Sequence, residues 1–175
     1  MTWLGATVLV AVVGALASIV VHTLKVGISP MPSSRRAVAA VLELVPAQTT
    51  GTVLELGAGW GTLAFALARH APGATVMAYE SSPVPFAVLW LRQRVVRAPN
   101  LRLCFGDFSS APLVTTKVVV CYLWPGAMTE LAESLAALPF GALIVSNTFG
   151  MRGWVPEREV VLNDVYRTRV SRYVR

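Results

Sequence analysis

Residues 54–61 read LELGAGWG, a strand-like ending that runs into glycine at every second position, Gly57, Gly59 and Gly61. Glycines so placed mark a backbone that something approaches too closely for side chains to be tolerated. The stretch closes the apolar run TVLELG (52–57) and opens a helical pattern, GTLAFALARHA (61–71). That is the first strand-to-helix turn of an open sheet, where a ligand sits beyond the carboxyl ends of the strands and against a helix N-terminus.

Working outward, the pattern repeats. A strand ATVMAYE (74–80) is followed by a helical run VPFAVLWLRQRVVRA (84–98), and a strand LRLCFGD (101–107) by a strand KVVVCYLW (117–124). A helix over 127–138 and a strand GALIVSNTF (141–149) complete the alternation. The strands are apolar on both faces, as when helices cover both sides of a parallel sheet. Strand alternating with helix predicts a doubly wound α/β domain. The tail REVVLNDVYRTRVSRYV (158–174) has no helix between its strand-like halves and predicts an antiparallel hairpin. Upstream, a proline- and serine-containing linker ISPMPSSRR (28–36) leads into an amphipathic helix ending at Pro46. The expected organisation is an anchor over 1–25, linker and pre-domain helix over 26–50, and the α/β domain over 51–175.

The anchor follows from composition. Hydrophobic residues make up 55% of the chain and charged ones 14%, against roughly 45–50% and about 25% in ordinary soluble domains. The excess sits in WLGATVLVAVVGALASIVV (3–21), which carries no charge and is closed off by His22 and Lys25. A transmembrane helix needs roughly 20 such residues. A secretory signal would place positive charge before a shorter apolar core, whereas Lys25, Arg35 and Arg36 come after this one. A single-pass membrane protein is expected, its domain in the cytoplasm, or in the matrix if mitochondrial.

The net charge is +6. Lys25, Arg35 and Arg36, with Arg167, Arg169, Arg172 and Arg175, suit either anionic head groups or ordinary solvated faces. Nucleic acid is not expected as a partner, because no aromatics interleave with these basic residues. Cys104 and Cys121 lie in apolar runs and read as small buried hydrophobes. No metal site is expected, since His22 and His70 are isolated.

Glycine spacing separates the candidate ligands. A dinucleotide fingerprint is G-x-G-x-x-G; here the order is G-x-G-x-G, and Thr62 falls where the third dinucleotide glycine belongs. No G-K-[ST] is present, which excludes a P-loop. Glu55 would repel a pyrophosphate but suits a cationic amino-acid moiety. Glu80, followed by Ser81 at the end of the second strand, suits the two ribose hydroxyls. In Gly106-Asp107-Phe108 the carboxylate can take an adenine amino group and the ring can flank the base. A neutral nucleoside with a positively charged tail describes S-adenosylmethionine.

These residues give the chain its resemblance, from about residue 30 to 175, to class I S-adenosylmethionine-dependent methyltransferases. Glu55-Leu56-Gly57-Ala58-Gly59-Trp60-Gly61 resembles that superfamily's first motif, Glu80 its second and Asp107 its third. The resemblance implies a seven-stranded sheet with an antiparallel last strand. A nearer likeness is to the membrane-anchored lysine methyltransferases of the ATP synthase c-subunit and adenine nucleotide translocase type. It is carried by the anchor, by Ser29-Pro30-Met31-Pro32-Ser33, by Gly153-Trp154-Val155-Pro156 and by Asp164-Val165-Tyr166. Tyr122-Leu123-Trp124-Pro125 stands in the fourth-strand position that faces the substrate and departs from the mitochondrial pattern after Tyr122. Glu55, Ala58 and Trp60 stand where that family usually has Asp, Ser and Asp. The expected activity is N-methylation of a lysine in a protein at the membrane. The alternatives are methylation of a lipid-soluble small molecule and a non-catalytic cofactor-binding scaffold.

The expected cofactor contacts are Glu55, Gly57, Gly59, Gly61, Glu80, Ser81, Asp107 and Phe108. Tyr122 and Trp124 are the expected catalytic residues, in an aromatic wall that guides an ammonium group; Trp154 either joins that wall or packs in the core or an interface. Pro30 and Pro32 either shape a loop over the cofactor or serve as linker. Asn147 and Thr148 either touch substrate or cap a loop.

Overall fold

The structure, a computed structural model, describes residues 3–27 and 31–175, the side chains of Lys25 and Val26 excepted. The expectations placed on Lys25, Ser29 and Pro30 lie outside the described residues. Helix α1 (Trp3–Val26) is followed by α2 (Arg35–Leu44), β1 (Gly51–Leu56), α3 (Thr62–His70), β2 (Ala74–Glu80), α4 (Pro83–Val96) and β3 (Leu101–Phe105). Then come β4 (Thr116–Cys121), α5 (Pro125–Ser134), β5 (Leu143–Asn147), β6 (Arg158–Val161) and β7 (Arg169–Val174). The seven strands form one sheet in the order β3-β2-β1-β4-β5-β7-β6. The first five are parallel, and β7 runs antiparallel between β5 and β6. This is the doubly wound sheet expected, with the hairpin at its end.

The parallel strands are buried because helices cover them. Val53, Val76, Val118, Val120 and Val145 share a core with Val41 and Leu44 of α2 and Phe65 and Leu67 of α3. On the opposite face Leu54, Leu56, Val119 and Ile144 pack against Met128, Leu131 and Leu135. Ser34 caps α2 by accepting from the Ala37 amide at 3.1 Å, which satisfies one of the amides a helix start leaves open. Asn100 donates from Nδ2 to the carbonyls of Ala68, Ala71 and Ala74 and so ties α3 to the start of β2. Cys104 and Cys121 are free thiols, and burial pushes that of Cys121 up to about 12, leaving it inert.

Three strands are shorter than the sequence pattern predicts, β3, β4 and β5, the last confined to Leu143–Asn147 by the positive φ of Gly141 and Thr148 at either side. β4 ends at Cys121, so Tyr122, Leu123 and Trp124 leave the sheet as a turn. Pro125 causes this: it occupies the first turn of α5, where a fixed φ and a missing amide cost nothing. β3 likewise stops at Phe105, because Gly106 swings away at φ +149° and Asp107 caps a short 3-10 turn.

The arginines at the carboxyl end are mostly paired. Arg158 bonds Glu43, Arg169 bonds Glu159 at 2.7 Å and Arg172 bonds Glu157 at 2.9 Å. Arg158 and Arg172 lie directly opposite each other in the β6–β7 ladder; like charges so placed repel, and the glutamates neutralise them. Arg175 lies over the Phe140 ring and donates to the Ala136 carbonyl.

α1 stands apart. Its stretch Trp3–Leu24 is long and apolar enough to cross a membrane, and its apolar window is not buried within the protein. Only its second half leans on the domain: Ala15, Ser18, Ile19, His22 and Thr23, one face by helical spacing, are half-buried, and the helix contacts α4.

Candidate active site

Where the carboxyl ends of β1, β2, β3 and β4 converge, they leave a cavity of about 250 Å³. The glycine loop forms its floor. At Gly57 the chain turns with φ +79°, and the amides of Gly57 and Ala58 both donate to the Tyr79 carbonyl, at 3.0 and 2.8 Å. The three glycines serve three different ends. A Cβ on Gly57 would meet Leu123 Cδ2 at 2.9 Å, so this glycine lets the loop pack against the β4 turn. A Cβ on Gly59 would meet nothing within 4 Å, because the residue faces the cavity. A Cβ on Gly61 would lie 2.2 Å from Leu89 Cδ1. Gly61 is not among the cavity-lining residues: it is the left-handed N-cap of α3, kept bare by α4. Packing against Leu89 of α4 is by itself enough to require a bare residue at Gly61, where a cofactor contact was expected.

Glu80 gathers the strand ends. Its Oε2 accepts from the Gly59 amide and its Oε1 from the Ser82 amide, each at 2.7 Å. Its own carbonyl accepts from the Gly106 amide at 3.0 Å. One residue thus joins the glycine loop, the start of α4 and the exit of β3. From α4, Arg92 donates to the Trp60 carbonyl and lies 4.9 Å over the Phe65 ring, which holds the loop from behind.

Glu55 is the electrostatic anomaly. It is 3% exposed, and its Oε2 has no hydrogen-bond partner although it lines the cavity. Burial, aided by the neighbouring Glu80 charge, pushes its pKa well above the ordinary carboxylate range. An unpartnered buried carboxylate is costly. A cation in the cavity would relieve that cost.

Asp107 accepts from the Ser109 amide at 2.8 Å through Oδ1, which leaves Oδ2 for a ligand; Ser81 and Phe108 line the same side. Tyr122 and Trp124 form the opposite wall. Tyr122 stacks on Phe149 with ring centroids 6.3 Å apart. Trp124 is closely flanked, since a Cβ on Gly126 would overlap its ring at 1.9 Å and one on Gly27 would touch it at 3.0 Å. The end of α1 therefore rests against the cavity wall. Trp154 does not join this wall: it packs edge-on against Tyr173 at 6.3 Å, within the core. Asn147 is buried off the cavity, its Nδ2 3.5 Å from Ser33 Oγ, so it braces the linker, and Thr148 turns the chain at φ 74°.

Several lining residues escaped the sequence. Met31, Pro32 and Ser33 of the linker form part of the wall, as do Tyr79, Leu123 and Glu130. Only Pro32 carried a signal, a proline in a short linker. Glu130 is one polar residue on the polar side of a helix, indistinguishable in sequence from a solvated one. In sum the lining carries four carboxylates, Glu55, Glu80, Asp107 and Glu130, and no basic side chain among the described residues. In a chain of net charge +6, that makes a cavity for a cation.

Residues 55–158 match the family model of the ANTKMT methyltransferase domain, more than half of the 175-residue chain. The chain belongs to this family. It is an S-adenosylmethionine-dependent methyltransferase, and solved structures agree. An RNA methyltransferase from Salinibacter ruber, solved with S-adenosyl-L-homocysteine, is 27% identical with a TM-score of 0.70, over 82% of this chain and 93% of that one. Aeropyrum pernix fibrillarin, with natively bound S-adenosyl-L-methionine, is 15% identical with a TM-score of 0.63, over 78% and 75%. The precorrin-6y C5,15-methyltransferase of Geobacter metallireducens is 14% identical with a TM-score of 0.63, over 81% and 92%. The last two share the fold. No curated protein matches the sequence.

Proposed function

We propose that this methyltransferase N-methylates a lysine of a protein at a membrane, with α1 as its single-pass anchor and the domain on the cytoplasmic or matrix side. The observation that carries the proposal is the seat of Gly27 on Trp124: the helix able to cross a bilayer ends on the wall of the cavity. The description of the family as ANTKMT agrees with the lysine methyltransferases that the sequence resembles. Of the residues, Glu55 faces the cofactor's ammonium group and Glu80 offers its remaining lone pairs to the ribose hydroxyls beside Ser81. Asp107 Oδ2 accepts from the adenine amino group, Phe108 flanks the base, Gly57 seats the loop against the β4 turn, and bare Gly59 admits the ligand close to the loop.

Bound S-adenosylmethionine supplies a methyl group on a sulfonium, open to in-line displacement. The chain's contribution is positioning and exclusion of water. Tyr122 and Trp124 guide the approaching ammonium by cation–π attraction, and Glu130 adds charge at the cavity edge. The amine must arrive without its proton. Glu55, Glu80 and Asp107 are assigned to the cofactor and Glu130 to the cavity edge. No histidine or lysine lines the cavity among the described residues, so that proton is assigned to water.

The test is incubation of the full chain in membrane vesicles with isotopically methyl-labelled cofactor, followed by mass spectrometry of membrane proteins and of extracted lipids, with Gly57→Arg as the inactive control. Label on a lysine side chain supports the proposal. Label confined to the lipid extract would replace it with methylation of a lipid-soluble amine.

A further inference from the structure

The outward face of α4 is built differently from the other helices of the domain. Leu89 and Pro85 face the core, and a surface helix normally turns polar residues to the other side. Here Val84, Ala87, Val88, Leu91 and Val95 recur at helical spacing on the outside. Leu91 is 59% and Val95 78% exposed, even with α1 in contact with this helix. Trp90 flanks the stripe with the Arg94 guanidinium 4.5 Å over its ring, and Phe105, on the neighbouring edge strand β3, is 60% exposed and tilted against Phe86.

The charge around this face has one sign. From Ser81 to Gly106 the sequence holds Arg92, Arg94, Arg97 and Arg102 and no carboxylate. Among the described residues the ion pairs belong to Arg158, Arg169 and Arg172, at the far end of the sheet. An exposed apolar stripe flanked by tryptophan and by arginines without ion pairs matches what an interfacial helix presents to acyl chains and anionic head groups.

We infer that the outer face of α4, with the β3 edge beside it, lies in the head-group region of an anionic bilayer next to α1, giving the chain a second lipid contact. The inference rests on the proposal that α1 crosses the membrane, since α4 contacts that helix. α4 begins beside the cavity, whose lining includes Ser82. A helix lying on lipid therefore sets the cavity at the level of the membrane surface, where an acceptor amine close to the bilayer can reach it.

The experiment uses the full chain reconstituted in phosphatidylcholine vesicles with and without phosphatidylglycerol. In a Cys104→Ser background, Cys121 being buried, single cysteines replace Leu91 or Val95 on α4, Leu9 on α1, or Val155 on a distant loop. Each carries an environment-sensitive fluorophore, quenched either by spin-labelled phospholipid or by aqueous iodide. The α4 labels are expected to be quenched several-fold more by the lipid probe than by iodide, like Leu9→Cys and unlike Val155→Cys. Phosphatidylglycerol is expected to increase that preference, and combined Arg94→Glu, Arg97→Glu and Arg102→Glu to abolish the increase. Lipid quenching at Leu9→Cys with iodide quenching at both α4 positions would overturn the inference and leave the anchor standing. Iodide quenching at all three would overturn both. Protection of the α4 labels from both quenchers would mean that protein, a second copy included, covers this face, and would also overturn it.

Discussion

Glu55 concentrates the electrostatics of the site in one side chain. Its pKa is raised by burial, with Glu80 adding to the effect. From the ordinary value of 4.5 upward, the folded protein therefore holds a proton that the unfolded chain has released. Stability must fall as pH rises through that window. In Glu55→Gln this contribution to the slope is lost, and the cofactor-free variant is expected to melt above the wild type at neutral pH. Thermal melts across pH check this. A bound ammonium stabilises the carboxylate, so binding releases a proton and the wild type's affinity rises with pH. Glu55→Gln is expected to weaken S-adenosylmethionine roughly 10- to 100-fold, the worth of a charge-assisted hydrogen bond, and to flatten the pH dependence, as titration calorimetry would show. The neighbouring glycines separate in the same way. Gly61→Ala pushes a methyl into Leu89 at a left-handed position, at a cost of about 2–4 kcal/mol of stability from strain and overpacking. Gly59→Ala meets no atoms, so only the left-handed strain of about 1–2 kcal/mol applies and its main effect falls on cofactor binding. Chemical unfolding beside binding titration distinguishes the two.

At the scale of elements, the β4–α5 turn is where cofactor wall and acceptor side meet. Gly126→Ala would overlap the Trp124 ring at 1.9 Å and force the indole from its place. Methyl transfer is expected to drop at least tenfold while cofactor affinity stays within a few-fold, measured by turnover and calorimetry on one preparation. The elements themselves were legible in the sequence wherever periodicity and chemistry agreed: five apolar runs became five parallel strands, and acids at three strand ends came together around one cavity. Legibility failed where a residue's role depends on a distant partner. Nothing local shows that Gly61 is bare because of Leu89, twenty-eight positions on, or that Trp154 meets Tyr173 instead of Trp124. The linker was ambiguous for the same reason. Met31–Ser33 line the cavity because the end of α1 packs on Trp124 and Asn147 approaches Ser33, contacts that span about a hundred residues. The basic tail suited either anionic head groups or solvated faces, and local sequence did not show that Arg169 and Arg172 meet Glu159 and Glu157.

Across the whole molecule, charge is sorted. The chain is basic, yet among the described residues every ionisable acid or base with a formal charge at its cavity is a carboxylate, Glu55, Glu80, Asp107 and Glu130. An acidic cleft focuses field lines and draws a cation inward, an effect that salt screens over about 8–10 Å. S-adenosylmethionine association is therefore expected to slow as ionic strength rises, and S-adenosylhomocysteine, which lacks the sulfonium charge, to respond less; stopped-flow binding at two salt concentrations compares them. The central claim is that this cavity holds the cofactor, and calorimetric titration of the detergent-solubilised full chain with S-adenosylmethionine tests it most directly, with Gly59→Arg alongside. Micromolar binding to the wild type is expected, lost in a variant that still unfolds cooperatively. A folded wild type that takes up no cofactor, or a Gly59→Arg protein that binds it equally well, would contradict it.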